Sequence, residues 1–101
     1  MFFIGVYFTL GIRLLKLEFI GKLRGIALRS PKSQEEMKTL EAECIELMKQ
    51  IRDFGFANTC PDMVWHYLTD VDIRYKDPGY AKYQNPLFIS ALDEWAKANA
   101  T

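Results

Sequence analysis

Four polar residues at steps of four carry the clearest candidate chemistry in this sequence. They are Asp62, His66, Asp70 and Arg74. On a helix they would form one column, because residues four apart lie one turn above another. A histidine between two carboxylates can hold a divalent cation, or act as a general base whose tautomer a carboxylate fixes. The same column on a surface helix is also an ordinary ladder of charges.

The surroundings of His66 favour the ladder. It is the only histidine in the chain, and three ligands from a single helix make a poor metal site. No nucleophile stands at a motif spacing from it. We therefore interpret the column as an exposed ladder and predict no catalytic residue, no metal and no cofactor. A small enzymatic or metal-binding domain that uses His66 with Asp62 and Asp70 is the third function hypothesis.

The column belongs to a proline-jointed segment, residues 60–99. Pro61 suits a first helical turn, because its fixed φ is helical and its missing N–H has no partner there anyway. Asp77-Pro78 and Asn85-Pro86 repeat a capping residue followed by proline, which predicts two helix breaks. We expect a short turn between them and a last helix that buries Phe88. Residues 60–99 are predicted to form a bent helical arm.

Residues 33–54 form the most regular amphipathic pattern. Ser33 and Glu36 make a capping box, and Gly55 can take the left-handed conformation that ends a helix. An apolar seam at steps of three and four lies between them, which predicts one long helix. The seam consists of Met37, Leu40, Cys44, Leu47, Ile51 and Phe54.

The first 28 residues open with twelve uncharged, mostly apolar positions. Their aromatic and β-branched content also suits a β-hairpin near Gly11, but a four-three spacing favours a helix that is largely buried. That spacing runs through Phe3, Tyr7, Leu10, Leu14 and Leu17. Twelve apolar residues are fewer than the ~20 that cross a bilayer.

These elements predict an all-α fold in one domain of 101 residues. We expect a small helical bundle in which helices 1–28 and 33–54 form an αα-hairpin, because a short connection between two long helices usually makes them antiparallel. The bent arm would pack across this hairpin. A domain of this size buries a modest core, and such domains often gain stability by forming oligomers.

The apolar excess of the first two helices leads to the function hypothesis. We predict a self-associating assembly module, with a homodimer favoured, or a module that binds another protein. The predicted interface comprises Phe3, Tyr7, Phe8, Leu10, Leu14, Leu17, Leu40, Cys44, Leu47 and Ile51. The alternative is a membrane-associated subunit anchored by residues 2–20.

Charge and cysteine content bear on partners and compartment. The formal net charge is zero, with an excess of four positive charges in residues 1–29 balanced by the remainder, so we expect no nucleic-acid partner. Two cysteines make neither a disulfide framework nor a zinc site, and such sparse use suits a reducing compartment. We therefore expect a cytoplasmic protein.

Overall fold

A computed structural model describes the backbone of residues 2–98 and the side chains of residue 11 and of residues 14–98. Along this range the chain forms five helices and no strand, so the predicted all-α bundle is confirmed. The helices are α1 (Phe2–Ala27), α2 (Gln34–Asp53), α3 (Asp62–Thr69), α4 (Val71–Lys76) and α5 (Pro78–Ala98).

Local sequence signals set both ends of α2. The Ser33 hydroxyl accepts a hydrogen bond from the Glu36 N–H at 3.1 Å, and the Glu36 carboxylate accepts one from the N–H of Lys32 at 2.7 Å. At the other end Gly55 has a φ of 78°, and the N–H of Phe56 donates to the carbonyl of Ile51. The N–H of Gly55 donates to the carbonyl of Arg52, and these two bonds form a Schellman motif, which ends the helix where the sequence predicts.

The two long helices run side by side in opposite directions. Phe19 of α1 meets Phe54 at the end of α2 with ring centres 6.0 Å apart, while Arg29, just after α1, pairs with Glu43 in the middle of α2. Helices α3, α4 and α5 pack against this pair: α5 lies against α1, and α3 and α4 lie against α2. The apolar core sits between these layers.

The buried face of α1 differs from the predicted one. The structure confirms the helix, but it leaves Leu14, Leu15 and Leu17 exposed by 58%, 40% and 43%. Continued by seven residues, the predicted four-three seam reaches Gly21 and Arg24, which offer no apolar side chain to bury. A second stripe on the same helix does offer apolar side chains at these turns, and this second stripe therefore faces the core. Its buried members are Lys16, Phe19, Ile20, Leu23 and Ile26.

The arm breaks at one place that the sequence pattern did not indicate. Asp70 separates α3 from α4 with φ −99° and ψ 22°, so residues 62–76 are not one helix. Side chains supply bonds to carbonyls at the end of α3: Thr69 Oγ1 donates to the carbonyl of His66 at 3.0 Å, and Arg74 Nη1 donates to that of Tyr67 at 2.5 Å.

The predicted break at Asn85-Pro86 is wrong, whereas the one at Asp77-Pro78 is correct. Asp77 Oδ1 accepts a hydrogen bond from the N–H of Tyr80, as an N-cap does. Pro86 instead lies inside α5. Gln84 and Phe88 on either side of it are both buried, and we attribute the continuous helix to this packing, which offsets a cost of ~3 kcal/mol for an interior proline.

Glycines inside α1 offer a test of this fold. A Cβ added at Gly21 or Gly25 would meet no atom within 4 Å, so Gly21→Ala should raise the free energy of unfolding by about 0.5 to 1 kcal/mol. Gly55→Ala is the matched control and should lower it by about 1 kcal/mol, because φ is positive there. Urea unfolding followed by circular dichroism measures both. A loss of stability in Gly21→Ala would contradict the open surface of α1.

Candidate functional site

The main polar cluster of the described chain joins α3, α4 and α5, and we call it the Arg74 network. It comprises Tyr67, Asp70, Arg74, Tyr80, Gln84 and Asn85. At its centre lies Gln84, which is 2% exposed. The Gln84 amide donates to Asp70 Oδ2 at 2.8 Å, and its carbonyl accepts from Arg74 Nη1 at 2.7 Å. Gln84 therefore bridges an acid and a base that form no direct ion pair.

Tyr67 packs the network onto the apolar core. The Arg74 guanidinium carbon lies 3.4 Å from the centre of the Tyr67 ring, and the opposite face of that ring stacks on Phe88 at 3.8 Å with the planes 4° apart. The Tyr67 hydroxyl donates to Asn85 Oδ1 at 2.5 Å. The stack combines a cation–π contact with an aromatic pair, so it fixes the Arg74 side chain in position.

Burial and hydrogen bonding shift the proton affinities of this cluster. Burial lowers the pKa of Arg74, which stays protonated at any ordinary pH, and burial raises the pKa of Tyr67. The hydroxyl of Tyr80 donates to Asp70 at 2.8 Å, and this bond raises the pKa of Tyr80. Near neutral pH the network thus holds one fixed cation and two neutral phenols. It fastens the arm and contains no activated nucleophile.

The predicted ladder does not form. Asp62 and His66 are exposed on α3, whereas Asp70 and Arg74 turn into the Arg74 network. The column is lost because α3 ends at Thr69 and the helical register does not continue through Asp70. Within residues 2–98, as far as side chains are described, no group of three His, Cys, Asp or Glu residues could hold a metal ion.

The residues of the predicted interface separate into three groups. Phe3, Tyr7, Phe8 and Leu10 lie outside the described side chains. Leu14 and Leu17 are exposed on α1. Leu40, Cys44, Leu47 and Ile51 are buried in the core of this same chain. The α2 seam is therefore covered by the chain's own helices, and among the described residues only the α1 leucines of the predicted set face outwards.

Both cysteines are free, buried thiols. Burial raises the pKa of Cys44 to about 11 and that of Cys60 to about 12, from an ordinary value of 9.0. A thiolate is the reactive form of cysteine, so neither residue has the low pKa of a nucleophilic site.

These raised pKa values predict that the fold weakens in alkali. Well below pH 9 the thiols are protonated in both folded and unfolded chains, so they add no pH dependence. Above pH 9 the unfolded chain releases protons that the folded chain retains, and the free energy of unfolding should fall up to about pH 11 to 12. Urea titrations should show a shallower fall in a Cys44→Ala/Cys60→Ala variant, whose other groups still titrate. Equal slopes in the two proteins would contradict the buried thiols.

Among the helices of the described residues, none is both long and apolar enough to cross a bilayer.

Comparison with protein-family models, with curated proteins and with solved structures finds nothing that matches this chain.

Sequence reasoning found Asp70 and Arg74 but missed what they bind. Tyr80 and Gln84 lie four apart on α5, which a helical pattern does indicate, yet nothing in the pattern shows that this pair meets α4. The meeting depends on the break at Asp70. Gln84 directly precedes the predicted break at Asn85-Pro86, so the sequence gives no reason to expect it to be buried. Its burial is visible only in the tertiary structure.

Proposed function

We propose that this chain is a self-associating helical module whose interface is the first half of α1. The observation that carries the proposal is the exposure of Leu14, Leu15 and Leu17 on a helix whose other face is in the core. Exposed leucines scattered singly are ordinary, but Leu14 and Leu17 lie three apart and are neighbours on one apolar face of α1, with Leu15 beside that face. Such a surface is typical of a contact with another protein.

The sequence before these leucines is also apolar. Helix α1 begins at Phe2, and residues 2–12 contain no charged side chain. Among the described side chains, the first buried member of α1 is Lys16. Covering an apolar helical segment with a partner stabilises the complex by about 25 cal/mol for each Å² of apolar surface removed from water.

A second copy of the chain is the proposed partner. Two-fold symmetry is the commonest closure for small oligomers, because one self-complementary patch then suffices. The leucines suit it, since Leu14 and Leu17 lie three apart and point to the same side of α1. The buried α2 seam takes no part in this interface.

Sedimentation of matched variants tests the proposal. Leu14→Asp/Leu17→Asp places two carboxylates on the proposed interface and should weaken the dimer by at least about tenfold, with helicity unchanged. Ile45→Asp is the matched control, because Ile45 is 59% exposed and lies on α2, away from the leucines of α1. This variant should sediment like the wild type. A dimer unaffected by the double substitution would place the interface elsewhere. Wild-type protein that stays dispersed only in detergent would favour the membrane-anchored alternative.

A further inference from the structure

A cleft of about 330 Å³ lies beside the Arg74 network. The connection after α1 forms one wall with Arg29, Ser30 and Pro31, and α4 and the first turns of α5 form the other. Pro31, Pro78 and Ala81 contribute to its accessible apolar lining, and the buried Leu40 and Val71 lie behind them. This volume is at the lower end of the range for small-molecule sites, which are mostly apolar with a few placed polar groups.

Arg74 brings a positive charge to this cleft that no carboxylate of the described residues contacts directly. Its guanidinium is half-buried, and its hydrogen bonds in the described chain run from Nη1 to two neutral acceptors, the carbonyls of Tyr67 and Gln84. No carboxylate of the described residues forms an ion pair with it. Asp70, held instead by Tyr80 and Gln84, acts on it only through space. A half-buried cation that no carboxylate contacts directly can still form charge-assisted hydrogen bonds, which favours binding of an anion.

Besides Arg74, the cleft contains uncharged side chains that can donate hydrogen bonds to an anion. Asn85 uses Oδ1 to accept from Tyr67, and within residues 2–98, as described, its Nδ2 group has no partner. Ser30 adds a hydroxyl and Tyr75 a phenol to the lining. The cleft's described lining contains no Asp or Glu, so an anion that enters meets no direct repulsion.

The shape of these donors suits a carboxylate. The Nε and Nη2 groups of Arg74 make no hydrogen bond in the described part of the chain, and this edge of a guanidinium matches the two oxygens of a carboxylate. A phosphate is more often held by backbone N–H groups at a helix start, and α5 begins here with Pro78, which has none. Pro31, Tyr75 and Ala81 line the cleft and are partly exposed, so they would contact an apolar body attached to the acid.

We propose that this cleft binds a small organic carboxylate with an apolar or aromatic body, whose carboxylate pairs with Arg74 and receives a hydrogen bond from Asn85. The site is independent of the α1 surface proposed for self-association, since it lies between α2, α4 and α5. Ligand binding and oligomeric state can therefore be tested separately on the same protein.

Titration of the ¹⁵N-labelled full chain with 3-phenylpropionate, followed by amide NMR shifts, tests the site. We expect saturable shifts at Ser30, Ala81 and Asn85, with a Kd on the order of 1 mM for so small a probe. The neutral 3-phenylpropionamide has nearly the same shape and should bind at least about tenfold more weakly, because it offers no charge to Arg74. No saturable shift at these residues, or equal affinity for the acid and the amide, would overturn the proposal.

Two variants locate the binding. Ala81→Leu fills the cleft without altering a member of the Arg74 network, and it should weaken binding of 3-phenylpropionate by at least about tenfold. Ala42→Leu makes the same change on the exposed face of α2, outside the cleft, and should bind as the wild type does. Unchanged affinity in Ala81→Leu would also overturn the proposal. Should that variant not fold, the comparison of acid and amide on the wild-type chain still decides.

Discussion

Gln84→Leu is expected to lower the free energy of unfolding by about 3 kcal/mol. Leucine nearly matches the volume of glutamine, but it removes the acceptor for Arg74 and the donor to Asp70 in one step. Both charged groups then lose a hydrogen bond inside the fold, and each such bond contributes about 1.5 to 3 kcal/mol. The predicted loss is a large fraction of the stability of a domain of this size.

Two controls separate the network from the mere change of residue type. Gln34→Leu makes the same substitution at an exposed position on α2 and should change stability by less than about 0.5 kcal/mol. Tyr80→Phe removes only the hydroxyl that donates to Asp70 and should cost about 1 kcal/mol. Urea unfolding at pH 7 measures all three. If Gln84→Leu were as stable as Gln34→Leu, the Arg74 network would have no role in holding the arm.

Ile51→Asp is expected to unfold the chain. Ile51 is 0% exposed in the middle of the core, and an unpaired carboxylate buried there costs several kcal/mol, comparable to the whole stability of a small domain. Ile45→Asp is the matched control, because the same substitution on the same helix falls at a position that is 59% exposed. Circular dichroism should show a cooperative thermal transition in Ile45→Asp and none in Ile51→Asp.

The Ile51 variant also separates two explanations of the α2 seam. If the α2 seam formed a contact between subunits, Ile51→Asp would yield a folded monomer. If the seam lies inside one chain, the same substitution yields an unfolded protein. A helical, monomeric Ile51→Asp with a normal thermal transition would contradict the burial of α2 within its own chain.

The parts of the fold that the sequence predicts are those set by neighbours along the chain. Ser33 and Glu36 begin α2, and Gly55 with Phe56 ends it, because each of these motifs is closed by hydrogen bonds within a few residues. The cap at Asp77 follows the same logic. Such signals require no knowledge of what the helix packs against.

The parts that sequence reasoning misses depend on distant contacts. Pro86 normally ends a helix, yet the buried residues on either side of it keep α5 continuous. Two apolar stripes compete on α1, and the choice of the one through Phe19 depends on the presence of α5 and Phe54. The Arg74 network joins residues up to 18 positions apart. Periodicity within one helix carries no information about such meetings.

The most direct test of the proposed function is the mass of the wild-type chain in solution without detergent. One chain has a mass of 11.7 kDa. Sedimentation equilibrium over a range of micromolar concentrations is expected to give twice this mass, falling towards the single chain on dilution, because the α1 leucines are then covered by a second copy. A mass of 11.7 kDa at every concentration would contradict self-association through α1.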